Sequence, residues 1–138
     1  MSLALGIDAV DIKRFSHWHH YTHTTLNRIF SKHEINYCLM VPAKSAERFA
    51  ARFAAKEAFF KALHHITQTP PPFSSIMRNV SVHRTTMGPH LEVCWENLEL
   101  TPVYNVIVSI THTQFTAFAA VILEDKSMQK SSKEIDKC

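Results

Sequence analysis

Two acidic side chains interrupt an apolar segment near the start of the chain. Asp8 and Asp11 lie within LALGIDAVDI, residues 3–12, which otherwise has the composition of a buried strand. Aspartate is disfavoured in strands, and side chains three positions apart in a strand point to opposite faces of the sheet. Asp8 is therefore either a functional carboxylate on one face or a cap or turn residue at a strand end.

Glu57 is a further carboxylate directed toward an apolar surface. It projects within about 40° of Phe53 on an alanine-rich helical segment. The simple interpretation is an internal pair with Lys61, one turn later. If Asp8 and Glu57 instead enter one strand–helix interface, they could share a divalent ion, since Mg²⁺ is commonly held by two carboxylates with water and phosphate oxygens. Cations on the same helix that could hold a pyrophosphate are Arg52, Lys56 and Lys61.

A polar segment with one imidazole separates two apolar segments near the C-terminal end. In SITHTQF, residues 109–115, His112 is accompanied by the hydroxyl groups of Ser109, Thr111 and Thr113. Such a turn suits phosphate or ribose oxygens, and the imidazole could act as a general base near neutral pH. An ordinary solvated hairpin turn has the same composition. With only two glycines, the sequence contains no glycine-rich phosphate loop.

Four further histidines follow the first strand, at positions 17, 19, 20 and 23. His19 and His23 have the i,i+4 spacing that a helix would need to present two imidazoles to a transition metal such as Zn²⁺. No carboxylate completes that pattern, so a solvated or loop face is the competing interpretation.

The periodicity predicts a single α+β domain over residues 1–124, followed by a polar tail over residues 125–138. Ser31 and Glu34 have capping-box spacing and open a helix over 32–41. A long helix covers 45–65, and beyond the prolines of residues 69–72 the period changes to that of strands. The predicted strands cover 80–83, 90–95, 104–110 and 115–123, with a turn at Gly88–Pro89 between the first two.

Composition limits the class of protein. The chain has 138 residues, of which 46% are hydrophobic and 20% charged, which is typical of a globular domain. No apolar run reaches the roughly 18 to 20 residues that span a bilayer, and the aspartates near the N-terminus interrupt any signal-peptide core. A soluble, cytoplasmic protein is expected. Residues 1–64 carry nine basic and five acidic side chains, which is compatible with a phosphate-bearing ligand or an acidic partner.

Three segments, in order, resemble one family. GIDAVDIKRF (residues 6–15), ERFAARFAAKEAFFKAL (47–63) and VSITHTQFTAFAAVILE (108–124) are similar to the motifs of the 4′-phosphopantetheinyl transferases. FSKHE and MGPHLEV resemble two weaker landmarks of that family. The length and motif order are closest to its small members, the holo-acyl-carrier-protein synthases.

The resemblance implies an antiparallel sheet packed on a long helix and a specific activity. That activity is transfer of 4′-phosphopantetheine from coenzyme A to a serine of apo-acyl carrier protein, for fatty acid biosynthesis, with release of adenosine 3′,5′-bisphosphate. Asp8 and Glu57 would bind Mg²⁺, and Lys61 would complete the catalytic group. Coenzyme A would contact Arg52, Lys56, Lys61, Ser109, His112 and Thr113.

The resemblance also implies partners. Arg14 would hold the acidic carrier protein, and the sites would lie between subunits of a homotrimer, with His112 acting across the boundary. No nucleic-acid or membrane partner is expected. The competing hypothesis is a non-catalytic module of the same fold that binds coenzyme A or the carrier protein. Three departures from the family are Thr111 in place of a serine, His90 in place of a lysine, and the absence of a glycine-rich segment over 66–75.

Overall fold

The computed structural model describes residues 3–100 and 104–126. This part of the chain contains five strands and five helices, with 3₁₀ turns at Ile12–Phe15, Trp18–His20 and Pro42–Lys44. The first strand is followed by four helices, and the other four strands come after them, two on each side of the last helix. The strands are β1 (Leu3–Asp11), β2 (Val80–Thr85), β3 (Gly88–Val93), β4 (Tyr104–His112) and β5 (Thr116–Asp125). The helices are α1 (His23–Leu26), α2 (Lys32–Leu39), α3 (Ser45–Leu63), α4 (Phe73–Asn79) and α5 (Trp95–Leu98).

The strands form two antiparallel sheets, one with the order β1-β5-β4 and one formed by β2 and β3. Helix α3 packs on one face of the three-stranded sheet, which confirms the predicted α+β class. In that sheet Asp8 pairs with Ala119, and Ala119 pairs with Ile110. Since cross-strand partners point to the same face, this row lies beneath α3, and Ala119 at its centre is buried.

Helix α3 approaches β1 so closely that the contact excludes a side chain. A Cβ placed on Gly6 would lie 1.8 Å from the carbonyl oxygen of Ala58 and 2.7 Å from the nitrogen of Ala62. Both alanines are fully buried. Small residues on each element therefore bring the two backbones into direct contact, and this contact fixes the position of Asp8 relative to Glu57.

The opposite face of the sheet carries apolar side chains that no part of the described chain covers. Burial alternates strictly along β1, and Leu5, Ile122 and Ile107 form one cross-strand row on the uncovered face. Ile7 is 58% exposed and Ile107 is 59% exposed. An exposed apolar face of this kind is typical of a surface that contacts another protein chain.

The sequence-based boundaries differ from the structure in several places. The capping box of Ser31 and Glu34 is present as predicted, but the turn between β2 and β3 is centred on residues 86–87, and Gly88 begins β3 with φ of +106°. Helices α1, α4 and α5 were not predicted. Strand β5 runs one residue past the predicted end of the domain. The predicted tail lies largely outside the described residues.

No helix in the described ranges is both long and apolar enough to cross a bilayer.

Candidate active site

Asp8 is a carboxylate in the strand–helix interface with only one of its oxygens engaged. Its exposed fraction is 8%. Lys61 Nζ donates to Asp8 Oδ1 at 2.8 Å and also to the carbonyl oxygen of Ile7 at 3.2 Å. Asp8 Oδ2 is buried and has no hydrogen-bond partner. A buried carboxylate oxygen without a donor is unfavourable, so this oxygen is available to a cation.

Glu57, on α3, lies close enough to Asp8, on β1, for the charge of Asp8 to act on it. Burial raises the pKa of Glu57, and the negative charge of Asp8 raises it further, while the charges of Lys61 and Arg14 act in the opposite direction. The hydrogen bond from Lys61 to Asp8 raises the pKa of the Lys61 ammonium group, so the positive charge is favoured beside the two carboxylates. A carboxylate whose pKa is raised by burial and by a neighbouring carboxylate is commonly found where a cation binds.

The donor set at Asp8 and Glu57 fits a hard divalent ion. It consists of carboxylate oxygens with one orphaned buried oxygen, and contains no thiolate or imidazole, which suits Mg²⁺ better than Zn²⁺. Within residues 3–100 and 104–126 no group of three or more His, Cys, Asp or Glu side chains forms a protein-only metal site. The pair therefore fits an ion that keeps water or substrate oxygens as its remaining ligands.

Arg14 lies at the edge of this site. Its guanidinium carbon is 4.8 Å from the ring centroid of Phe53 and 5.7 Å from that of Phe15, and its charge influences Glu57. The side chain is exposed. It is thus placed to contact a macromolecule that approaches the two carboxylates.

Arg52 and His112 lie on the other side of α3, in a cleft of about 270 Å³. Arg52 is five positions before Glu57, a rotation of about 140° around the helix axis. His112 Nε2 lies 3.1 Å from Glu47 Oε1. One chain therefore does not bring Arg52 and His112 together with Asp8 and Glu57.

The cleft also contains a cluster that the sequence reasoning missed. Arg48 and Arg52 lie 4.1 and 4.2 Å from the ring centroid of Tyr37, and Arg84 Nη1 donates to Tyr37 Oη at 2.6 Å. Burial alone would raise the pKa of Tyr37, but the Arg84 hydrogen bond and the three positive charges lower it overall. The cluster joins α2, α3 and β2, so no local motif reveals it.

Lys56 is not available to a ligand, and the prediction that it contacts coenzyme A is wrong for this structure. Its ammonium group is fully buried and donates to Glu34 Oε1 at 2.6 Å, to Ile29 O at 2.6 Å and to Met77 O at 3.1 Å. Burial lowers the pKa of Lys56, which the pairing with Glu34 opposes. Lys56 joins α3 to α2 and α4 inside the core.

The hydroxyl groups of Ser109 and Thr113, both predicted to contact coenzyme A, lie in different elements, a strand and a turn. Thr113 forms the turn before β5, where its Oγ1 accepts hydrogen bonds from the backbone nitrogens of Phe115 and Thr116 at 3.2 and 3.1 Å. Ser109 is three positions before His112 on β4 and therefore faces the other side of the sheet, in a row with Ala120 and Ile7. Within one chain, Ser109 belongs to the exposed apolar face and not to the cleft.

The histidine-rich segment after β1 is exposed. His19 and His20 have ring centroids 3.9 Å apart. His17, His19, His20 and His23 are not brought into a metal-binding group of three in the described structure.

The comparisons with known proteins cover most of the chain. The sequence pattern of the 4′-phosphopantetheinyl transferase superfamily matches residues 4–117. A curated relative, the holo-[acyl-carrier-protein] synthase of Treponema denticola, is 35% identical over 129 residues, which cover 90% of this chain and 99% of that protein. The enzyme of the same name from Geobacter sulfurreducens is also 35% identical over 129 residues, with 90% and 98% coverage.

Solved structures share the fold. The ACPS–CoA complex of Chronobacterium ammoniagenes superposes with a TM-score of 0.75 at 26% identity, covering 91% of this chain and 99% of that chain. The holo-(acyl-carrier-protein) synthase of Bacillus anthracis in complex with CoA (3′,5′-ADP) has a TM-score of 0.70 at 26% identity, covering 89% and 96%. These matches span β1, α3 and β4, which carry the candidate site.

Proposed function

The chain belongs to the 4′-phosphopantetheinyl transferase superfamily, and from this membership we propose that it transfers 4′-phosphopantetheine from coenzyme A to a serine of apo-acyl carrier protein. The serine oxygen forms a bond to the phosphorus that bears the pantetheine arm. The bond from that phosphorus to the bridging oxygen breaks, and adenosine 3′,5′-bisphosphate leaves. The serine proton passes to a base. The observation that carries the proposal is the Asp8–Glu57 carboxylate pair within a chain whose relatives are named for this reaction.

Asp8 and Glu57 are proposed to hold Mg²⁺, which would offset the negative charge of the pyrophosphate when bound. The orphaned Oδ2 of Asp8 and the raised pKa of Glu57 support this assignment. In that role the two carboxylates would hold the ion in a fixed position at the interface of β1 and α3.

Lys61 supplies a mobile positive charge at the same place. Its side chain is 50% exposed, and its ammonium group is 2.8 Å from Asp8. A lysine that is half in solvent can turn from the carboxylate to a phosphate oxygen without leaving a buried charge unpaired. We assign Lys61 to the neutralisation of charge on the phosphate that is attacked.

The complete site is proposed to form between subunits of a homotrimer. Two observations support this. Asp8 and Glu57 lie on one side of α3 while Arg52 and His112 lie on the other, and the sheet face that carries Ile7, Ile107 and Ser109 is uncovered. In such an assembly, the cleft of one subunit would complete the carboxylate pair of its neighbour, and Thr113 and Ser109 would reach coenzyme A only in this arrangement.

Arg14 is proposed to dock the carrier protein. It is exposed and close enough to Glu57 to influence the ionisation of that carboxylate. An acidic protein held there would present its serine to the reacting phosphate. We place the reaction in the cytoplasm, in the supply of holo-carrier protein for fatty acid biosynthesis, which is the setting that the resemblance implies.

The direct test is intact-mass spectrometry of apo-acyl carrier protein after incubation with this protein, coenzyme A and Mg²⁺. The expected result is a mass gain of one phosphopantetheine arm, which EDTA prevents. No gain with a competent carrier protein would contradict the proposed reaction. A gain that EDTA does not affect would contradict the metal assignment alone.

The alternative of a non-catalytic binding module is not favoured. A module that only binds coenzyme A has no need of two neighbouring carboxylates, one of them buried, because two negative charges oppose the binding of a phosphate ligand. Retention of Asp8 in a buried strand position is explained by the transfer reaction and not by binding alone.

A further inference from the structure

One face of α3 carries Glu57, Lys61 and His64 in a row. Lys61 lies about 40° to one side of Glu57 around the helix axis, and His64 lies about 20° to the other side. His64 follows the last residue of the helix and keeps helical backbone angles, with φ of −63° and ψ of −19°. It is exposed, and its Cα atom lies about 10 Å from that of Glu57 along the axis. This separation leaves room for a metal ion and a phosphate group between the two side chains.

Two contacts with Phe60 hold the imidazole ring of His64 and determine its tautomer. Nδ1 of His64 lies 2.8 Å from the backbone carbonyl oxygen of Phe60. The two rings stand edge to face, with centroids 4.5 Å apart and planes at 87°. Because a carbonyl oxygen can only accept a hydrogen bond, Nδ1 must carry the proton. The lone pair of the neutral ring is therefore on Nε2, which has no hydrogen-bond partner within residues 3–100 and 104–126.

The other ionisable groups on this face are not free to accept a proton. The hydrogen bond to Asp8 raises the pKa of Lys61, so its ammonium group stays charged near neutral pH. Asp8 Oδ1 already accepts that hydrogen bond, and both Asp8 and Glu57 are proposed to hold the metal ion. His64 is thus the member of this group that presents an unoccupied lone pair.

His112 is the other imidazole with a possible role as a base, but its contacts do not suit that role. Its Nε2 lies 3.1 Å from Glu47 Oε1, and its Nδ1 lies 3.2 Å from the carbonyl oxygen of Thr113. Both neighbouring atoms are acceptors, so each ring nitrogen is placed to donate and neither presents a free lone pair. His64 differs because only one of its nitrogens is engaged.

We propose that His64 is the general base of the transfer reaction, an inference that rests on the proposed function. Nε2 takes the proton from the hydroxyl of the carrier-protein serine while the serine oxygen forms its bond to phosphorus. The electron pair of the broken P–O bond leaves with adenosine 3′,5′-bisphosphate, and the imidazolium then releases its proton to water. Imidazole suits this step because it exchanges a proton readily between pH 5 and 8.

The test measures kcat and KM for transfer to apo-acyl carrier protein, from time courses of the mass assay, for the wild type and four variants. His64→Gln removes the base, His64→Lys keeps a positive charge without a base, and His64→Ala leaves space for added imidazole. His65→Gln is the matched control, because His65 is the exposed neighbour and lies about 80° around the helix from Glu57. Circular dichroism verifies that each variant is folded.

We expect His64→Gln and His64→Lys to lower kcat by about 100-fold, with both KM values changed by no more than about twofold. Added imidazole should restore kcat of His64→Ala by about tenfold, and the restoration should grow with the neutral fraction of imidazole. His65→Gln should retain wild-type kcat. Retained activity in His64→Lys would show that the residue supplies only charge and would overturn the inference. A loss of kcat in His64→Ala that imidazole does not restore would show a structural role and would also overturn it.

A second measurement does not depend on activity. Nitrogen-15 NMR of the histidine rings in the free protein should show that the neutral ring of His64 is protonated on Nδ1, and protonation on Nε2 would overturn the inference. The kinetic comparison also separates this inference from the proposed function. A wild type that transfers no phosphopantetheine would refute both, whereas a wild type and His64→Gln that transfer equally fast would refute only the role of His64.

Discussion

Lys61 Nζ and Asp8 Oδ1 are 2.8 Å apart, while the second oxygen of Asp8 is buried without a donor. The lysine is half exposed and the aspartate is almost entirely enclosed. The carboxylate of Asp8 on β1 is therefore held in place, whereas the ammonium group of Lys61 on α3 can move.

Asp8→Asn should lower the rate of Mg²⁺-dependent transfer by about 100-fold or more, because one of two charged ligands is lost. Thermal stability should be unchanged or higher, since the substitution removes a buried charge with an unsatisfied oxygen. The control is Asp11→Asn, which lies on β1 but is exposed. Equal loss of activity in both variants would contradict the assignment of Asp8.

The raised pKa of Glu57 predicts a pH dependence of both stability and activity. An acid with a raised folded pKa stabilises the protein below its ordinary value of 4.5 and loses that contribution as the pH rises through the folded value. Transfer should increase over the same interval as the carboxylate ionises. Urea denaturation at several pH values measures the free energy of unfolding. Glu57→Gln should remove the part of its decrease with pH that comes from the ionisation of Glu57. Glu96→Gln, exposed on α5, should retain that decrease.

Lys56→Met should destabilise the fold by about 3 to 5 kcal/mol, because Glu34 would remain buried without its cation. Urea denaturation measures the loss, and the exposed Lys32→Met serves as the control. The double variant Lys56→Met/Glu34→Gln should recover part of the stability. If Lys56→Met instead weakened the affinity for coenzyme A without changing stability, Lys56 would have to be assigned to the coenzyme A site.

Gly6→Ala should destabilise the protein by about 1 to 3 kcal/mol through overpacking, since the added Cβ would lie 1.8 Å from the carbonyl oxygen of Ala58. Gly88→Ala is also expected to destabilise the protein, but through backbone strain and not through a steric clash. Nothing lies within 4 Å of a Cβ at Gly88, and its φ of +106° alone opposes the substitution. Because Gly6 touches α3 beside Asp8, Gly6→Ala should also impair transfer, which the mass assay of the carrier protein measures.

Ile107→Asp should convert the proposed trimer to monomers and abolish transfer. The residue is 59% exposed and lies on the uncovered sheet face, in the edge strand β4, where the proposed assembly would bury an introduced charge. Light scattering coupled to size-exclusion chromatography measures the mass. Met87→Asp is the control, because Met87 is exposed at the tip of the β2–β3 turn. A wild-type protein that is monomeric yet active would contradict the intersubunit site.

The sequence indicated Asp8 and Glu57 as candidate residues because each is a local anomaly, a charge within an apolar pattern. It failed for Lys56 because helical periodicity gives the direction of a side chain and not its partner, and Glu34 is 22 residues away. Tyr37 was missed for a similar reason, since its contact to Arg84 joins α2 to β2. The separation of Ser109 from His112 was predictable, because the parity rule that separates Asp8 from Asp11 applies equally to them.

The contact between Gly6 and the backbone of α3 also bears on how such proteins diverge. Because backbone atoms of strand and helix touch directly at this point, the spacing of the two carboxylates does not depend on the sizes of surrounding side chains. Substitutions elsewhere in the core can then accumulate without moving Asp8 relative to Glu57. Chains with only about a quarter of their residues in common, such as this protein and its solved relatives, can thereby keep the same fold around this strand–helix contact.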